Sequence, residues 1–293
     1  MMGFSIKQLE TLSGIKAHTI RIWEQRYHFL KPSRTETNIR TYSNDELKTL
    51  LTVALLNKYG YKISRIDTMT SEQREREALS LQGMEAQNEY LVNELVTCMI
   101  EMNIAGFEKI LNGYIIKYGI ETAITSLIFL FLKKVGILWQ TNRINPAHEH
   151  IVTNIVRQKI IYAIETLPLV KDDQEYLFLM FLPEEEFHEL GLLFVYYLLR
   201  KQHIPVIYLG ANVPLKDALY VVNKKSISHI YIHLVGMPYR FNFQKFLTNL
   251  SSKALQSSIL VSGEITAHYK KPLPSNVSFL QSLSAVTSYI SKL

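Results

Sequence analysis

Glu186, His188 and Gly191 stand in a Glu-x-His-x-x-Gly hexapeptide just after an apolar run, a spacing that can do metal chemistry. A histidine can ligate a metal through one ring nitrogen while a nearby carboxylate or solvent engages the other and orients the ring. Read alone, the same six residues are also an acidic helix start with an incidental histidine, because short motifs match often by chance. A second set lies upstream, where Trp139 is followed ten and eleven positions later by Glu149 and His150. An indole is a flat cap for a ligand face, and a carboxylate–histidine pair can hydrogen-bond polar ligand edges. A core tryptophan and an acid favouring a helix N-terminus would give the same pattern.

A third set is in the first fifty residues: His18, Thr19, Arg21, Arg26, Arg34, Arg40 and Tyr42. Ser5 can cap a short helix with Ile6, Leu9 and Leu12 on one face, and Ser13-Gly14-Ile15 supplies a turn. A second helix from about Lys16 turns Ile20 and Trp23 inward, leaving His18, Thr19, Arg21 and Arg26 to project outward. That is the arrangement of a recognition helix, with early residues at base edges and arginines at phosphates. Pro32 ends the unit, and Arg34, Arg40 and Tyr42 then fall in a polar stretch able to form a wing on the DNA backbone. Ser43-x-x-Glu46 is a capping box that opens the next helix, through Leu47, Leu50, Leu51, Ala54 and Leu55 to about Tyr59-Gly60.

Charge agrees with this placement. Residues 1–70 hold eleven Lys/Arg against six acids, so they carry +5 of the chain's net +6. A basic module on a nearly neutral body is the footprint of a nucleic-acid binder, although a solvated basic surface has the same charge. The single cysteine, Cys98, excludes an internal disulfide or a thiolate cluster within one chain and fits a reducing compartment. The longest apolar runs, such as Ala123 to Leu132, stop at charged residues short of the ~20 needed to cross a bilayer. No secretory leader is legible, so no membrane span and a cytoplasmic location are expected.

The elements that must position these groups read as a multidomain chain. Residues 1–70 form a winged helix-turn-helix, and 71–89, polar and without sustained heptads, read as a linker that can be part helical. Residues 90–170 fit a four-helix bundle with breaks at Asn103, Asn112-Gly113, Gly119 and Asn145-Pro146. Residues 171–293 alternate apolar runs (176–182, 205–209, 229–234, 258–261, 277–280) with helical segments, and Leu209 to Pro214 reads as a turn. This predicts an α/β, Rossmann-like, doubly wound parallel sheet of five strands, with ligands beyond the strands' carboxyl ends. His188 would lie just past the first strand.

Thr19-Ile20-Arg21-Ile22-Trp23-Glu24-Gln25-Arg26-Tyr27, Pro32-x-Arg34 and Asn38-Ile39-Arg40-Thr41-Tyr42 resemble the MerR family of transcriptional regulators over roughly the first 70 residues. The family usually has glycine where Asn38 stands, and asparagine tolerates the left-handed backbone that glycine would supply. The resemblance implies double-stranded operator DNA as partner and self-association as a dimer or tetramer. The bundle and α/β unit resemble cobalamin-binding modules. There the resemblance makes His188 the lower ligand of cobalt and Glu186 its orienting carboxylate, and places Trp139, Glu149 and His150 over the upper face. The implied cofactor is adenosylcobalamin or methylcobalamin.

The chain departs from that pattern at the slot for the cofactor's displaced nucleotide tail. The family's serine position holds His233, with Val235 in the following aliphatic place, and its Gly-Gly position holds Ser262-Gly263. In the light-sensing branch a histidine follows the tryptophan, whereas this chain has Gln140, which cannot replace imidazole as a strong cobalt ligand. The expectation is a DNA-binding regulator, not an enzyme, whose effector domain binds cobalamin and gates oligomerisation or operator binding. The alternatives are the same regulator with a cobalamin-free effector domain used for oligomerisation or another ligand, and a corrinoid-dependent methyltransferase component.

Overall fold

The computed structural model describes residues 3–140, 145–170, 175–236 and 241–293, except for the side chains of Trp139 and Gln140. The chain divides into two compact units, Met1–Ile155 and Val156–Leu293.

The first unit opens with helix α1 (Ile6–Ser13) and helix α2 (Ala17–Arg26). Gly14, with φ 73°, ends α1 by donating its amide to the Glu10 carbonyl, a left-handed cap that glycine adopts without steric cost. Ile20 and Trp23 are buried, as the three-residue spacing requires. Strands β1 (Ser33–Arg34) and β2 (Arg40–Thr41) pair antiparallel to make the wing. Its turn depends on Asn38, which holds φ 62° and accepts a hydrogen bond from Arg34 Nη1 at 2.7 Å. Helix α3 (Asn44–Lys58) starts with the expected box: Ser43 Oγ accepts from the Glu46 amide and Glu46 Oε2 from the Ser43 amide.

Residues 71–89, read as a linker that can be part helical, are largely helical. After the short helix α4 (Ile63–Asp67), they hold α5 (Ser71–Ser80) and the start of α6 (Met84–Ile100). Another capping box, Thr70 with Gln73, starts α5. Ala78 anchors it in the core, while Tyr61 donates to Glu77 and Lys48 pairs with Glu75 at 3.0 Å. One small apolar contact and polar ties to α3 and its C-terminal turn therefore hold a helix that lacks an apolar stripe.

Four helices follow, as expected: α6, α7 (Ile104–Thr122), α8 (Phe129–Gln140) and α9 (Pro146–Glu165). The break read at Asn112-Gly113 is not one, since α7 runs through it. Gly119, with φ 80°, is a kink within α7, and a π-helical turn, Ala123–Ile128, joins α7 to α8. The continuous run Ile104–Leu138 is thus long and apolar enough, by length and composition, to cross a membrane. Phe107, Leu111, Ile124, Leu127, Ile128 and Phe131 bury one side of it, and a core helix of a bundle meets the same length criterion.

The second unit begins within α9. Its sheet has five parallel strands in the order β4-β3-β5-β6-β7: β3 (Phe178–Pro183), β4 (Val206–Val213), β5 (His229–His233), β6 (Ser258–Ser262) and β7 (Val277–Leu280). Helix α10 (Leu190–Lys201) packs with α13 (Leu283–Ile290), and α11 (Leu215–Lys224) with α12 (Phe243–Lys253). Strand alternation sends Leu179, Phe181, Ile230 and Ile232 into one apolar core with α11 and α12. The order reverses between β3 and β5, and such a switch point leaves a crevice at the carboxyl ends of the strands.

The segment Leu209 to Pro214 is not a free turn. β4 continues through it to Val213, with register shifts against β3 and left-handed backbone at Gly210 and Asn212. Two glycine-like conformations in six residues look like a turn in sequence, but here they bulge a strand.

Candidate functional site

The residues expected at DNA differ in exposure. His18, Arg21, Arg26 and Arg34 are exposed, and Thr19 is half-buried beside His18. Arg40, expected on phosphate, instead lays its Nε on the Glu24 carboxylate at 2.8 and 3.0 Å, and that hydrogen bond raises its pKa. Tyr42, also expected at DNA, is fully buried and donates its hydroxyl to Glu24 at 3.3 Å; burial first, then Glu24, lifts its pKa to about 12. Both residues face inward because β2 must close on α2, and Glu24 is the anchor that does it. The signal was present: Glu24 is the one acid in the basic helix 17–26.

At the switch point of the second unit, Glu186 is 2% exposed while the His188 side chain is 64% exposed. One Glu186 oxygen accepts from both the His188 amide (2.9 Å) and its ring Nδ1 (2.6 Å), and the other accepts from the Gly236 amide at 3.2 Å. Burial alone would raise the carboxyl pKa, but the His188 and Gly236 donors outweigh it and hold it below the usual range. An ionised carboxylate only accepts, so Nδ1 carries the proton and the lone pair of a neutral ring sits on Nε2. The loop is clamped from β4: the Asn212 amide donates to the Glu186 carbonyl, and its side-chain oxygen accepts from the Glu185 amide. This clamp explains the left-handed Asn212. Phe187 and Val235 are exposed, Gly236 lies next to the imidazole, and Gly236 also lines a cavity of about 670 Å³ with Phe241, Phe243 and Tyr269 and the polar Glu264 and Lys271. A fixed imidazole beside a largely apolar hollow is suited to a flat ligand that offers a metal face. Gly236 was not foreseen; its signal is a glycine immediately after a strand that ends at the switch point.

His233, Ser262, Gly191 and Gly263 come together beside this loop. His233 and Ser262 are register partners across β5 and β6, with Nδ1 and Oγ 2.8 Å apart, and Ser262 Oγ also shares a hydrogen bond of 2.5 Å with Tyr231. Burial pushes the His233 pKa down to about 4. A Cβ on Gly191 would run into the His233 imidazole, and one on Gly263 would run into the Leu234 backbone. Tyr231 was missed, although strand alternation puts it on the same face as His233.

The upstream set belongs to the first unit. Glu149 Oε1 accepts from Thr153 at 2.7 Å, and His150, mostly exposed, lies 3.6 Å from the other Glu149 oxygen. Trp139 ends α8, but its side chain and that of Gln140 lie outside the described residues.

Comparison with known proteins gives these parts a family. Residues 4–73 match the MerR HTH family regulatory proteins, and residues 91–164 match the B12 binding domain. The chain thus joins a segment similar to MerR regulators to a segment similar to B12 binding domains. It is 26% identical over 212 residues to the HTH-type transcriptional repressor CarH of Myxococcus xanthus, covering 70% of each chain. With the repressor CarA of the same organism it shares 24% over 215 residues, covering 73% of this chain and 70% of that one. The monomethylamine corrinoid protein of Methanosarcina barkeri has the same fold, with TM-score 0.56 over 70% of this chain and all of that one at 13% identity. The first match takes in α1 to α4, the wing and the start of α5, and the second runs from within α6 to near the end of α9.

Proposed function

We propose that this protein is a DNA-binding transcriptional regulator whose effector domain binds cobalamin and uses it to gate self-association or operator binding. The observation that carries the reading is the Glu186–His188 pair. A buried, ionised carboxylate fixes the tautomer of an exposed imidazole at the sheet's switch point, directly beside an apolar hollow. Cobalamin supplies a cobalt face that such an imidazole can ligate. The chain's own residues hold that imidazole in place: Glu186 sets its proton, and Asn212 and Gly236 set its loop. The matches to two transcriptional repressors over about 70% of their length support a regulator rather than an enzyme. The upper-face roles of Trp139, Glu149 and His150, the cytoplasmic location and self-association belong to the same proposal.

Gating requires the ligand to favour one of two states by its differential affinity for them. The test is to add adenosylcobalamin or methylcobalamin to the purified chain, separate free ligand by gel filtration, and follow visible absorbance, particle mass and retention of operator DNA. Co-elution of the chromophore with a change in mass or DNA affinity is expected. A colourless protein whose mass and DNA binding ignore the ligand would contradict the proposal.

A further inference from the structure

The cofactor reading has a consequence for corrinoid selectivity, and this inference rests on it. Cobalamin carries a nucleotide tail ending in a benzimidazole that can ligate its own cobalt. A protein imidazole that takes this position must displace the base, and the tail then needs somewhere to go. In the resemblance that place lies along the serine and Gly-Gly positions, where small residues leave room.

Here both glycine surfaces are already covered by the chain. The His233 ring lies so close over Gly191 that not even a methyl group fits between them, and the Leu234 backbone does the same over Gly263. The ring is not loosely placed. Its Nδ1 is bonded to Ser262, and Ser262 in turn to Tyr231, which is 1% exposed. Swinging His233 aside would break this bond, at a cost that disfavours the open state. The two substituted positions therefore complete each other: a histidine fills the space, and a serine in place of glycine holds it.

We infer that His233, locked by Ser262, plugs the tail's place, so that the site selects corrinoids by ring and cobalt alone and favours those that lack a base of their own. A tethered base competes with His188 at a high effective concentration. With no compensating tail contacts, cobalamin meets that competition unassisted. Cobinamide, which has the corrin ring but no nucleotide, does not meet it.

The test is a visible-absorbance titration of the full chain with cob(II)alamin and cob(II)inamide under anaerobic conditions. Cobinamide should bind more tightly, by about ten-fold or more, equivalent to about 1.4 kcal/mol. Cobalamin binding as tightly as cobinamide or more so would overturn the inference while leaving the cofactor reading intact. Binding of neither would overturn that reading and the inference with it. The parent comparison stands without any variant. In a His233→Ser/Ser262→Gly variant with the parent's circular dichroism, cobalamin affinity should rise relative to cobinamide affinity; an unchanged ratio there also contradicts the plug.

Discussion

Arg40 is seated on Glu24, its Nε within 3.0 Å of both carboxylate oxygens, and the wing of the DNA-binding head is thereby tied to the recognition helix. Both side chains are largely buried, at 25% and 15% exposure. Arg40→Ala would leave Glu24 without its cation and loosen β2 from α2. The expected loss is about 1–3 kcal/mol of head stability. DNA affinity should fall with it, but the slope of log affinity against log salt should stay near the parent's, because no phosphate contact is removed. Denaturant unfolding and a salt titration of operator binding check this; parental stability with a shallower salt slope would make Arg40 a phosphate contact after all.

Arg21 is the contrasting case, exposed on the outward face of α2. Arg21→Ala should leave folding intact and weaken operator binding. If the contact is to phosphate, the salt slope drops by about 1 and the deficit shrinks as salt rises. An unchanged affinity across the titration would remove Arg21 from the interface.

Two histidines in β5, the buried His229 and the half-buried His233, set an acid limit on the second unit. Burial lowers the pKa of His229 and brings that of His233 to about 4. Unfolded, each titrates near 6.5. Between pH 6.5 and 4 the unfolded chain therefore binds more protons, so stability is fully present above about 6.5 and is lost as pH falls toward 4. For His233 alone the loss at pH 5 is roughly 2 kcal/mol. Urea midpoints at pH 7 and pH 5 should show a smaller drop in a His233→Gln variant than in the parent, and equal drops would refute it.

Much of this was legible before any coordinates. Periodicity placed the head's helices, because Ile20, Trp23 and the leucines of α3 can be buried only one way, and apolar runs placed all five strands within a few residues. Glu-x-His-x-x-Gly located the switch-point loop. What the sequence hid were partners distant in the chain. Arg40 and Tyr42 read as DNA contacts because arginine and tyrosine suit phosphates, whereas Glu24, sixteen and eighteen positions earlier, draws both inward. Leu209 to Pro214 read as a turn because left-handed residues mark turns, yet Asn212 uses that conformation to clamp the Glu186 loop. Residues 71–80 lack an apolar stripe, and their helix depends on ties to Tyr61 and Lys48 that local pattern does not show.

The central claim is that His188 is the axial ligand, and electron paramagnetic resonance of cob(II)inamide bound to the chain tests it most directly. Cobinamide has no base of its own, so any axial nitrogen must come from the protein. The parent should show splitting from a single nitrogen that changes from triplet to doublet when the protein's histidines carry ¹⁵N, and His188→Ala should abolish it. An identical nitrogen signal in His188→Ala, or no axial nitrogen in the parent, would contradict the account.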